Sequence, residues 1–428
     1  MPPRRSLLAA GTPAILRLLL AGLIAGSVAW GAVGAWTVSQ HASAASAVVS
    51  TGEPLSLAAQ QMYQSLSDAD VTATTTFLAG PPEPLAVRQR YEADIAQAAA
   101  DLTVLRDAGS GRQLAASLSA ISTGLPVYTG YVQQAQTYSS VGYPLTGGSF
   151  MQVASEEMHL TLLPAARASY TQENAALTAA SAQATGLPWI VVALALAIVI
   201  GVALLRTQRW LRRRTHRAVN YGLLASTLAV AASVIWLVAA FASARADLQR
   251  GLGHGSTPAQ TLAQAGIAAQ QARGDEVLNL ISRSGSSSFQ QDFISMRNKI
   301  GPGSGTLLTV AAASSPAGAA VGQVGAAARD ARSWYAVTGR VFRLDLAANY
   351  AAETQLVIGT GSGSSAAEFA RLESDLSRAI AADQVVFTAS ATAGRNAFGG
   401  LEAGVIAAAL LMAAGSAWGL SRRLAEYR

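Results

Sequence analysis

Few residues in this 428-residue chain could do chemistry on their own: it has four histidines, His41, His159, His216 and His254, and no cysteine. Without cysteine there are no disulfides, thiolate metal sites or thiol-linked lipid anchors. His159 follows Glu156-Glu157, and the i, i+3 spacing of Glu156 and His159 puts both on one helix face. That is half of a di-metal carboxylate bundle site, which requires a second Glu-x-x-His, and the sequence has none. The pair therefore reads as a solvated polar face. The stretch GTGSGSS at 359–365 lacks the Lys-Ser/Thr of a phosphate loop and reads as a linker. No Gly-x-Ser-x-Gly elbow occurs. No catalytic, cofactor-binding or metal-ligating residues are expected, and neither is an enzyme activity.

Polar groups on otherwise apolar stripes are the next candidates. Asp345 and Asn349 continue the stripe Tyr335–Phe342, and Asp383 falls on the stripe Phe369, Leu372, Leu376, Ala379. Polar groups facing a bundle interior are costly unless paired. With Arg340 and Arg343 nearby, Asp345, Asn349 and Asp383 could line a small-molecule pocket; the plainer alternative is an exposed helix face. Tyr128, Tyr131, Tyr138 and Tyr143 suit either a partner surface or interhelix packing. The densest charge is the run Arg206–Val219, RTQRWLRRRTHRAV, with Arg206, Arg209, Arg212, Arg213, Arg214 and Arg217. These six arginines are candidates for contact with a cytoplasmic partner or anionic lipid.

What positions these residues is a set of apolar runs. The composition is 51% hydrophobic and 13% charged, against about 25% charged in soluble globular chains. Runs at 18–38, 187–205, 220–242 and 400–420 are each near the roughly 20 residues that cross a hydrocarbon core. Short Arg-rich loops stay cytoplasmic, so the 206–219 turn, the tail 1–17 and the tail 421–428 are expected inside. Residues 39–186 and 243–399 are then extracytoplasmic. Ala42-Ser43-Ala44 and Ala45-Ser46-Ala47 resemble signal cleavage sites, but the first apolar run exceeds a signal h-region of about 7–15 residues, which favours an uncleaved span. The net charge of +6 is concentrated beside the spans, and no basic-aromatic nucleic-acid patch appears.

Each long segment carries helical stripes. In the first they are Leu55–Ala73, Val87–Leu105, Leu114–Ala135 and Met151–Leu162; in the second, Phe289–Ile300, Val321–Phe342 and Phe369–Asp383. Their steps of three and four keep one face apolar. Breaks are expected at Gly52-Glu53-Pro54, Gly80-Pro81-Pro82, Gly109–Gly111, Gly142–Gly148, Gly251–Pro258, Gly301–Gly305 and Gly359–Ser365. A shift of 219 residues superposes Tyr131 on Tyr350, Phe150 on Phe369 and Glu156 on Asp375. The expected fold class is an all-α membrane protein: four transmembrane helices and two tandem extracytoplasmic four-helix bundles, related by internal duplication.

The bundles resemble chemoreceptor-type four-helix sensor domains, and the tandem plan from Leu18 to Arg423 resembles the GlnX-type four-span membrane sensors of actinobacteria. That resemblance rests on topology and helical character. It implies work with an amino-acid-binding lipoprotein outside and a soluble kinase, protein kinase G, inside. The expected function is a non-enzymatic transmembrane sensor or relay in the cell membrane. A structural membrane scaffold and an accessory subunit of a transporter are the alternatives.

Overall fold

The computed structural model describes residues 12–83, 85–109, 111–186, 188–215, 220–282, 287–301, 303–315, 319–359 and 361–425. Among them there is no strand. The helices are α1 (Thr12–Ala47), α2 (Glu53–Ala79), α3 (Leu85–Asp107), α4 (Arg112–Ser140), α5 (Pro144–Glu157), α6 (Leu163–Ala184), α7 (Pro188–Thr215), α8 (Tyr221–Gly251), α9 (Thr257–Ser282), α10 (Ser287–Ile300), α11 (Leu307–Ser314), α12 (Ala319–Leu346), α13 (Tyr350–Ile358), α14 (Ser365–Asn396) and α15 (Leu401–Ala425).

Four helices are long and apolar enough to cross a membrane, so the chain is an all-α membrane protein. Their apolar stretches occupy only part of much longer helical runs. The run Leu16–Ala79 has 64 residues, about 95 Å at 1.5 Å per residue, against a hydrocarbon core of about 30 Å. The expected breaks at Gly52–Pro54 and Gly251–Pro258 are not breaks. Helix continues through π-helical turns at Val48–Gly52 and Leu252–Ser256, and a third lies at Met158–Leu162. Each ends two residues before a proline: Pro54, Pro258 and Pro164. Proline lacks the N–H that would bond the carbonyl four residues back, and its ring crowds that carbonyl. The carbonyls concerned, on Ser50, His254 and Leu160, sit inside the widened turns, which relieves the clash without ending the helix. Pro126 lies inside α4 without such a turn.

The chain divides into two compact units. One contains the spans: residues 1–48, 179–249 and 391–428. Here α1 packs on α15 and α7. A Cβ on Gly415 would lie 2.6 Å from Ser226 Oγ and 2.7 Å from the Gly222 carbonyl, so α8 and α15 touch backbone to backbone through Gly222, Gly415 and Gly419, as small-xxx-small helix pairs do in membranes. Ser226 Oγ donates to the Met412 carbonyl across this contact at 3.0 Å. Aromatic rings collect at one end of the spans: Trp36 meets Trp189 edge-on at 4.6 Å, and Phe241 meets both His41 and Phe398. Belts of this kind suit a membrane–water interface.

The other unit contains residues 49–178 and 250–390, both long segments together. Each has its own core. The first is built on Met62, Leu66, Leu105, Ile121, Tyr128 and Met151. The second is built on Leu262, Phe293, Trp334, Phe369, Leu372 and Leu376. They do not stand apart as separate bundles, because α9 packs on α2 and contributes Ile267 to the first core. Among the described residues the second segment also has six helices where the sequence suggested four. The equivalence by a 219-residue shift fails: it takes Tyr131 in mid-α4 to Tyr350 at the start of α13. A shift of 204 takes Pro54 to Pro258, and one of 206 takes the start of α5 to the start of α13. Element order repeats; those residue matches do not correspond.

Candidate functional site

The residues singled out on the stripes do not form one pocket. Asp345, near the end of α12, accepts from Asn279 Nδ2 at 3.2 Å. Asn349 caps α13, its side chain accepting from the Ala352 N–H. Arg340 is exposed and donates to the Gly363 carbonyl, and Arg343 is exposed. Asp383 is fully buried next to Ser315, whose hydroxyl lies 3.5 Å away. Ser315 precedes α12 and Asp345 is near its far end, so the 28-residue helix separates them by about 40 Å. The pocket reading fails on that distance. Asp383 alone keeps its expected inward position. Burial pushes its pKa up to about 6, against the Ser315 hydrogen bond.

The arginine run is mostly helix, because α7 continues to Thr215. Arg206, Arg209, Arg212 and Arg213 are exposed; the Arg214 side chain and Arg217 lie outside the described residues. Gln208 Nε2 ties α7 to α8 by donating to Thr227 Oγ1 at 2.8 Å. Tyr128 is core, Tyr131 and Tyr138 stack on Phe150, and Tyr143 is exposed. His159 departs from the solvated reading: its Nε2 lies 3.2 Å from Asp70 Oδ2.

Sequence reading missed two buried polar centres. The first is Arg273 on α9, 2% exposed. It donates to Glu276 Oε2 at 2.6 Å, to Ser365 Oγ at 3.1 Å and to the Val357 carbonyl at 3.1 Å. Thr338 and Ser365 donate to Glu276, and Trp334 Nε1 donates to Ser365. One ion pair thus joins α9, α12, α13 and α14. The i, i+3 spacing of Arg273 and Glu276 was the available signal.

The second centre lies where the two segments meet. Ser155 donates to Asp70 at 2.8 Å on the oxygen that faces His159. Burial opposes the His159 cation, but the Asp70 hydrogen bond and charge, with the Asp275 charge, leave its pKa raised. Burial lifts Asp275 to about 7, His159 opposing and Asp292 adding. Asp68 accepts from Gln270 at 2.5 Å. Burial, then the Glu373 charge, pushes it up to about 9, with Arg90 opposing.

The arrangement best suited to bind something is a cleft of about 610 Å³, within the usual 300–1,000 Å³ of small-molecule sites. Its walls are Glu53, Ser56, Leu57 and Gln60 of α2; Asn174 and Leu177 of α6; Gly255 and Ser256 of the π-helical turn before α9, with Ala259 and Gln260 of α9; and Ala381, Gln384, Val385, Phe387, Thr388 and Ala389 of α14. Asn174 Oδ1 accepts from Ser56 at 2.5 Å and from Gln260 at 3.3 Å. Thr388 Oγ1 donates to Glu53 Oε1. The Glu53 pKa is raised by burial, with the Thr388 bond opposing. The four helices lining this cleft each lead, along the chain, into one of the four candidate spans. A second cavity of about 830 Å³ lies between α1 and α7 and is lined mainly by Leu, Ile, Val and Gly of the spans, a surface suited to acyl chains.

Fold and cleft define a multi-pass all-α membrane protein whose long segments carry a small-molecule-sized site. Residues 44–182 match the family described as Actinobacterial sensor domain. The match covers the first long segment, about a third of the chain, and marks that segment as similar to a sensing module. No curated protein and no solved structure matches.

Proposed function

We propose that the protein is a non-enzymatic transmembrane sensor that relays occupancy of the cleft to the cytoplasmic side of the cell membrane. The observation that carries this reading is that one element from each of the four span-bearing helices lines the same cleft. A ligand has leverage over a conformational equilibrium only through different affinities for its states. A ligand touching all four helices has that opportunity at each of them at once. The sensor-type match over 44–182 supports the same role.

In this reading both termini and the Arg206–Arg217 turn face the cytoplasm, and the cleft-bearing unit lies outside. The exposed arginines at 206, 209, 212 and 213 present the output to a soluble signalling protein, a Ser/Thr kinase being the kind the GlnX-type resemblance implies. An extracytoplasmic binding protein delivers the input. The test fills the cleft. Ala381→Trp should change the yield of cytoplasmic partners cross-linked through the 206–213 stretch, whereas Val153→Trp on an exposed face should not. Replacing Arg206, Arg209, Arg212 and Arg213 by Gln should abolish that cross-linking while leaving insertion intact. Equal partner yields from the native chain and both the cleft and arginine variants would overturn the relay.

A further inference from the structure

The chemistry of the cleft walls restricts what can occupy them. Among the described residues that line the cleft, Glu53 is the single charged one and none is Lys or Arg. An anionic occupant would meet one carboxylate and no cation. The Glu53 carboxylate is half-buried and takes the Thr388 hydroxyl on Oε1, leaving Oε2 available to a second donor. A carboxylate drawn partly out of water and left without a cation is destabilised, and the upward pKa of Glu53 reflects that burial. A cation on Oε2 would offset the cost. The remaining walls divide in two. Leu57, Leu177, Val385 and Phe387 offer an apolar surface, while Gln60 and Gln384 bring amide groups that no other described side chain engages.

We propose that this cleft takes an organic monocation, a primary ammonium on an apolar arm, with the ammonium on Glu53 and the arm along Leu57, Leu177, Val385 and Phe387. This rests on the reading of the cleft as the sensing site. The same ammonium chemistry is available from a soluble amine and from an aminophospholipid headgroup.

The native chain has no cysteine, so Ala381→Cys, at an exposed lining position, gives a single thiol in the full-length protein. Its maleimide labelling is followed in nanodiscs of phosphatidylglycerol, with three probes sharing one arm: phenethylamine, 3-phenylpropanamide and 3-phenylpropanoate. Phenethylamine should protect the thiol and 3-phenylpropanoate should not. Adding Glu53→Gln, which keeps the acceptor for Thr388, should weaken phenethylamine protection about ten- to a hundredfold, the worth of a charge-assisted hydrogen bond. Discs containing phosphatidylethanolamine separate the sources. Protection there without added amine assigns the ammonium to lipid, and protection only with phenethylamine assigns it to a solute. Protection by the amide or the carboxylate at equal or lower concentration overturns the ligand class while leaving the cleft as a site. Protection by none of the three probes, with no effect of phosphatidylethanolamine, overturns occupancy itself, and the relay then stands or falls on the tryptophan and arginine variants.

Discussion

Replacing Arg273 by Met should remove much of the stability of the unit that carries the cleft. Arg273 is 2% exposed and Glu276 1%, and the Nη1–Oε2 distance is 2.6 Å. Met fills a similar apolar volume, so the dominant loss is electrostatic. Glu276 would remain buried with hydroxyl donors from Thr338 and Ser365 but no cation, and the Val357 carbonyl would lose its donor. Breaking a buried pair on one side costs about 3–5 kcal/mol, a large part of the about 5–15 kcal/mol that holds a typical domain folded. At roughly 2–4 °C per kcal/mol for a large domain, the unfolding midpoint should fall by about 6–20 °C. Detergent-solubilised full-length protein, followed by protease resistance of the 49–178 and 250–390 segments during heating, reads this directly. The double variant Arg273→Met with Glu276→Leu should recover most of the loss, since an apolar replacement of a whole buried pair is often neutral. A single variant that melts like the native chain, or a double variant weaker than the single, would show that this pair does not hold the unit together.

Three further outcomes are expected. Asp275 and Asp68 have folded-state pKa values raised to about 7 and about 9. Groups raised in the folded state contribute stability that is complete below their unfolded values near 4 and is lost as pH rises through the folded values. His159, also raised, acts in the same direction from about 6.5 upward. The unfolding midpoint should therefore fall as pH rises from 5 to 9. Asp275→Asn should flatten the part up to pH 7, and Asp68→Asn the part up to pH 9; an unchanged slope in both refutes the assignment. Among the spans, Gly415→Val would press into Ser226 Oγ and the Gly222 carbonyl. It should separate α8 from α15, measured as loss of a disulfide between cysteines placed at Ser226 and Ser416, whose hydroxyls lie 3.3 Å apart. Unfilling the second core by Trp334→Ala should cost about 3–5 kcal/mol, since its ring is fully buried against Phe293 and Phe369; a change under 1 kcal/mol would contradict that packing.

The helical stripes of the first segment were legible because its helices bury one face. Ala59, Met62, Leu66 and Ala69, and Leu118, Ile121, Tyr128 and Val132, are all buried, as their three-four spacing requires. α9 was not legible. Nearly every residue from Ile267 to Leu280 is buried or half-buried, including Arg273, Asp275, Glu276 and Asn279. A central helix surrounded on all sides has no polar face to reveal its period. On α12 the stripe was read through Val321, which is exposed, and missed Trp334, Val337 and Val341, which are buried. Alanine and glycine dominate that helix and blur the phase of the repeat. The cleft was invisible because its walls come from four helices up to 336 residues apart in sequence, Glu53 to Ala389; none of the wall residues is unusual alone.

The paired prolines give the relay a mechanical device, and it can be tested. A π-helical turn accommodates one more residue than an α-helical path through the same hydrogen bonds. Closing it to regular helix therefore turns the residues on one side by about 100° relative to the other and moves them by about 1.5 Å. Val48–Gly52 and Leu252–Ser256 lie at the junctions between the two compact units, and Gly255 and Ser256 are also cleft walls. An occupant pressing on that turn bears on the geometry the turn adopts. Pro258→Ala restores the missing N–H and removes the ring, so the turn should close. The consequence is read by cysteines placed singly from Ser243 to Arg250, whose water-accessible labelling should shift in phase by about one residue relative to the proline-bearing chain. The same scan in a Pro126→Ala background, where no π turn precedes the proline, should show no shift. If the phase in the Pro258→Ala background is also unchanged, proline does not hold the turn open. The transmission step would then have to be sought in rigid displacement of the helices.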